Sequence, residues 1–198
     1  MTRQVRVPSG SDGRPLGRDT ALVTALALYQ DTVVRSRHLD PVTTEVVRLR
    51  CARQHDCRIC QTLRLADAIE AGADDEFTAK IDRYETSDLD ERHKVALRLV
   101  DAFIWNPTSI DATLAAQAHA HFTDDELAEL LVDITKWSTQ KIHVMLGTDG
   151  TDRLATDERG RAYLSFTPDG AASIGPNAPP RALPRALPRA QPRAQPRG

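Results

Sequence analysis

Residues 45–72 read EVVRLRCARQHDCRICQTLRLADAIEAG. Cys57 and Cys60 stand three apart in otherwise helix-forming sequence, with Glu45 upstream and Arg64 downstream. A structural zinc site takes four ligands, usually two such cysteine pairs or a Cys2His2 set. Only Cys51 remains after this pair, and no histidine pair follows at finger spacing, so no metal site is expected. Three cysteines make no disulfide framework either, and the pair reads as a working dithiol.

The physical case is local. The spacing predicts a helix from Cys57 to about Ala71, with Asp56 as its N-cap and Gly72 as its stop. Thiols in a first helical turn lie near unpaired backbone N–H groups, which favour the thiolate. In an uninterrupted helix Arg64 falls one turn beyond Cys60 and adds positive charge there. Glu45 belongs to a helix near 42–54 that Pro41 introduces; packed antiparallel to the cysteine helix, it would bring a carboxylate to the sulfurs. Cys51, on that helix, reads as a small buried hydrophobe.

Outward from this stretch the pattern stays helical. Residues 19–36 carry Leu22, Leu26, Tyr29 and Val33 at helical spacing, and a helix after Asp88 carries Val95, Leu99 and Phe103. Asp88 with Glu91 approximates a capping pattern. An alanine-rich helix is expected near 108–120, after Pro107, with Trp105 as a core or subunit-contact anchor. TDDE at 123–126 is a capping box opening a long helix that runs through Leu127, Leu130, Leu131, Ile134 and Trp137 to Gly147. RAYLSF, 161–166, is expected as a brief extended segment. His119, His121 and His143 read as surface groups. No βαβ alternation appears, which excludes a thioredoxin or Rossmann fold and predicts an all-α chain.

Glu45, Cys57-x-x-Cys60 and the glycine-ended turn, followed by the D/S-x-x-E start, the Asn106-Pro107 junction and the last long helix, resemble the carboxymuconolactone decarboxylase-like superfamily. Within it the match is to the AhpD-like alkylhydroperoxidase branch. The resemblance implies an AhpD-like helical domain over 18–167, between a flexible segment at 1–17 and a disordered Pro/Arg-rich tail at 168–198. It implies that Cys60 attacks a hydroperoxide, that Cys57 resolves the product, and that Glu45 belongs to a proton relay. The family has a histidine where this chain has Arg64, and arginine stays protonated near neutral pH. Arg64 can hold a thiolate or grip an acidic substrate, and His55 is the base that could stand in.

The resulting expectation is a thiol-dependent peroxidase or disulfide oxidoreductase, reduced by an external dithiol or protein thiol, with no organic cofactor. Homo-oligomers, trimers or hexamers, follow from the resemblance. A lactone decarboxylase-type lyase and a non-catalytic redox-sensing or assembly protein are the alternatives. A net charge of −2 and a pI near 6.3 argue against nucleic-acid binding. No segment is apolar enough to cross a membrane or to act as a secretion signal, so the expected compartment is the cytoplasm. The tail repeats RALP and RAQP and holds eight of the twelve prolines, too little apolar content to join a core.

Overall fold

The computed structural model describes residues 20–166 and 172–177. It is predominantly helical, and one helix organises it. α2, Pro41–Gln54, begins where the Asp40 carboxylate accepts from the Thr43 backbone N–H at 2.9 Å and Pro41 supplies a pre-set φ. Its residues Thr43, Glu45, Val46, Val47, Arg48, Leu49, Cys51 and Ala52 are all buried. A helix covered on most sides shows no single apolar stripe.

Two long helices flank α2. α6, Glu91–Trp105, buries Val95, Leu97, Leu99 and Val100. α8, Asp124–Ser138, opens on the expected capping box, with Thr123 and Glu126 exchanging hydrogen bonds, and buries Leu130, Ile134 and Trp137. Val47, Cys51, Val95, Val100, Leu130 and Ile134 close the main core between these three helices. Glu129 reaches back to the N–H groups of His38 and Leu39, which sets the entry into α2. α9, Lys141–Leu146, follows α8 after a two-residue break and ends at Gly147, whose left-handed φ of 67° closes the helix. α7, Ala112–His121, is capped by Asp111.

Several expectations are corrected. The stretch 57–71 is not one helix: it divides into α3 (Arg58–Thr62), β1 (Leu63–Leu65) and α4 (Ala66–Glu70), and the short α5 (Asp75–Ala79) follows. The cause is tertiary, because β1 pairs in parallel with β2, Ala162–Phe166, the extended segment expected at 161–166. β2 pairs in turn, antiparallel, with β3, Ala172–Gly175. The chain is thus predominantly helical, as expected, with a small three-stranded sheet added, and a strand lies inside the segment expected as tail. Asp90, not Asp88, caps α6, and without a side-chain hydrogen bond. In α1, Thr20–Val34, Val33 is buried but Leu22 is 61% exposed, so the expected stripe is only half used. Trp105 is 68% exposed and is no core anchor. Residues 1–17 and 178–198 lie outside the described residues.

Candidate functional site

α2 ends in a tight turn that delivers the cysteines. His55 closes the helix, Asp56 takes a left-handed φ of 51°, and the Cys57 N–H returns to the Ala52 carbonyl at 3.0 Å while Asp56 N–H returns to Arg53. These paired returns form a Schellman motif, usually completed by glycine. Cys57, not Asp56, is the N-cap of α3, and its Sγ accepts from the Cys60 N–H at 3.4 Å. Cys57 and Cys60 are joined as a disulfide. Both are buried, Cys57 completely and Cys60 with 7% exposure, and they pack with Ala52, Ile59 and Val144. The loop after α9 grips the start of α3: the Asp149 carboxylate accepts from the Arg58 backbone and side chain, and its carbonyl accepts from Ile59 N–H.

Glu45 and Arg48 form a buried pair behind the disulfide. Glu45 is fully buried and its two oxygens accept from Nε and Nη2 of Arg48 at 2.6 and 2.8 Å. Arg48 then donates through Nη1 to the Cys60 carbonyl at 2.7 Å and through Nη2 to the Leu63 carbonyl at 2.5 Å. Glu45 thus reaches the dithiol segment through Arg48. One side chain satisfies the carbonyls at the end of α3 and fixes the chain where helix gives way to strand.

Arg64 sits on β1 instead of one turn further along the cysteine helix, which corrects the helical-face argument. It is 6% exposed, and its Nη1 donates to the carbonyls of Gln61 and Leu63, each at 2.7 Å. Leu63 O therefore receives both Arg48 and Arg64. Burial, and then the neighbouring Arg48, lower the Arg64 pKa to about 10, so it remains a cation at neutral pH. His55 turns toward α8, where its Nε2 lies 3.1 Å from Ser138 Oγ. Burial, and then Lys141, bring its pKa down to about 4, which leaves the imidazole neutral near pH 7.

Arg48 went unremarked in the sequence because an arginine three residues after a glutamate on a helix usually marks a solvated pair. Asp133 and Lys136 went unremarked for the same reason. Both are buried on α8; burial, and then Glu129, raise Asp133 to about 7, while burial, and then Arg48, lower Lys136 to about 7. Lys136 Nζ lies 2.9 Å from the Trp137 ring centroid, and Arg48 faces the same ring. Cys51 is fully buried with its thiol pushed up to about 12, chiefly by burial, as suits a core residue. Among the described residues no group of three or more His, Cys, Asp or Glu side chains is placed to hold a metal ion. No helix there is long and apolar enough to cross a membrane.

The helical arrangement superposes on a crystal structure from Agrobacterium tumefaciens, a protein of unknown function described as a candidate antioxidant defence protein AhpD. The TM-score is 0.54 at 19% identity, covering 72% of this chain and 95% of that one. The fold is AhpD-like. No family model matches the chain. Uncharacterized proteins of two Mycobacterium tuberculosis strains, CDC 1551 and H37Rv, are each 44% identical over 137 residues, 69% of this chain. The chain spans about half the length of these curated relatives, 48% of each. A C-x-x-C pair within bonding distance on an AhpD-like fold supports thiol redox chemistry in general terms.

Proposed function

We propose that this chain is a thiol-dependent peroxidase of the AhpD-like alkylhydroperoxidase kind. The observation that carries the reading is the Cys57–Cys60 disulfide at the start of α3, braced from behind by the buried Glu45–Arg48 pair. In the reduced enzyme the Cys60 thiolate attacks the terminal oxygen of a hydroperoxide. The O–O bond breaks, Cys60 becomes a sulfenic acid, and the departing alkoxide takes a proton to leave as alcohol. The Cys57 thiol then attacks the Cys60 sulfur, forming the disulfide and releasing water. An external dithiol returns two electrons and two protons. Of the two cysteines Cys60 is the less enclosed, which favours it for the attack.

Arg64 and Arg48 supply positive charge beside the Cys60–Leu63 backbone, which stabilises a thiolate. Neutral His55 is held by Ser138 and serves the turn before Cys57. Assembly into homo-oligomers is supported by apolar side chains left at the surface of α1 and α8, including Leu22, Leu28 and Leu131. The reducing cytoplasm is the compartment that suits such a cycle. The test is steady-state consumption of cumene hydroperoxide with dithiothreitol as reductant. Turnover that vanishes in Cys60→Ser is expected; a wild-type protein that consumes no hydroperoxide overturns the reading.

A further inference from the structure

Arg64 carries a buried charge without a carboxylate of its own. Its Nη1 is spent on two carbonyls, and its Nε is buried with no acceptor among the described residues. On its inner side Arg48 is matched by Glu45. On its outer side Arg161 lies 2.7 Å from Asp75, but Asp75 also pairs with Arg159 at 3.1 Å. Arg48, Arg64 and Arg161 thus grade from interior to surface, with 2% and 22% of the side chain exposed at the two ends. Glu45 is taken by Arg48, and Asp75 is shared between Arg161 and Arg159, so among the described residues no carboxylate forms an ion pair with Arg64. Desolvating a cation without a counter-ion is costly, and a free Nε–H edge is the donor a carboxylate matches best.

We propose that Arg64 anchors an anion site beside the Cys57–Cys60 pair, and that the substrate reaching the pair carries a carboxylate. The substrate assignment rests on the redox reading above; the anion site itself does not. Arg64 touches the peptide carbonyls at Gln61 and Leu63, and Arg48 touches that of Cys60. A carboxylate held at the free edge of Arg64 therefore lies alongside the segment that carries the attacking sulfur. An arginine fills this role where a histidine would not, because it keeps its charge at every physiological pH.

Two alkylating reagents separate this site from a simple effect on the thiolate. Iodoacetate is anionic and iodoacetamide neutral, while thiolate population affects both equally. The rates at Cys60 of the reduced full-length protein are measured near pH 7 by peptide mapping, and their ratio is divided by that of 2-mercaptoethanol. The expected normalised ratio is about fivefold or more, from one incompletely screened charge close to the sulfur. Arg64→Met should bring it close to one, while the exposed Arg83→Met leaves it unchanged. A wild-type ratio equal to that of 2-mercaptoethanol overturns the site, and so does a ratio unaltered in Arg64→Met. If Arg64→Met loses its helical circular dichroism, the wild-type ratio decides alone. A fatty-acid hydroperoxide should also be consumed faster than its methyl ester, and equal rates overturn the substrate assignment. A high alkylation ratio with neither hydroperoxide consumed would leave the anion site standing and remove the peroxidase reading.

Discussion

Arg48→Met should be among the most damaging single changes in the chain. The guanidinium makes four hydrogen bonds, two to Glu45 and one each to the carbonyls of Cys60 and Leu63. Methionine fills most of the volume but leaves the fully buried Glu45 carboxylate and the Cys60 carbonyl without the arginine's donors, while Leu63 O keeps Arg64. Breaking a buried ion pair from one side costs about 3–5 kcal/mol, a large share of the roughly 5–15 kcal/mol that holds an ordinary domain. Urea unfolding of the oxidised protein at pH 7 measures the loss. The companion is Glu45→Gln combined with Arg48→Met, which removes both charges. If the cost is the stranded charge, the double variant is more stable than Arg48→Met alone, and the two losses are far from additive. A loss below about 1 kcal/mol in Arg48→Met, or strict additivity, would refute the reasoning. The coupling matters for the proposed function, because the same side chain holds the carbonyl of Cys60, the cysteine proposed to attack.

Three further outcomes follow from the surroundings of the site. His55 has its folded-state pKa depressed to about 4, so its contribution is complete above the unfolded value near 6.5 and is lost as pH falls through 4; His55→Asn should flatten that acid limb by about 1–2 kcal/mol in stability curves from pH 7 to 4. Lys136 is likewise depressed, to about 7, so its contribution is complete above about 10.4 and lost as pH falls toward 7. Lys136→Met should therefore stabilise the protein by about 1–2 kcal/mol at pH 7, with the gain shrinking toward pH 10 in paired denaturation curves. Asp56→Gly relieves a left-handed residue and should raise the melting temperature by about 1–2 °C, read by circular dichroism.

What was legible in the sequence was whatever depends on neighbours in the chain. Pro41 and the TDDE box announce α2 and α8 because a helix-start signal acts within one turn. The cysteine pair was legible because its spacing is its chemistry. What was not legible depends on distant partners. Residues 57–71 have helical spacing, yet Leu63–Leu65 pair with Ala162–Leu164, almost a hundred residues away, and that pairing moves Arg64 from a helix onto a strand. Glu45 was expected near the sulfurs, but Arg48 gave no signal, because the Cys60 and Leu63 carbonyls and the Trp137 ring that it meets lie 12 to 89 positions away in the chain. Leu22 looked like core for the opposite reason, since helical periodicity does not say whether a face is covered.

The central claim is that Cys60 is oxidised by a hydroperoxide and Cys57 resolves it, and intact mass tests this most directly. Reduced wild-type protein given one equivalent of hydroperoxide should become about 2 Da lighter as the disulfide closes, while Cys57→Ser should gain about 16 Da as a sulfenic acid on Cys60 that dimedone traps. Cys60→Ser should keep its mass on the same timescale. A wild-type mass that does not change, or a sulfenic acid that forms on Cys57 in Cys60→Ser and not on Cys60 in Cys57→Ser, would contradict it.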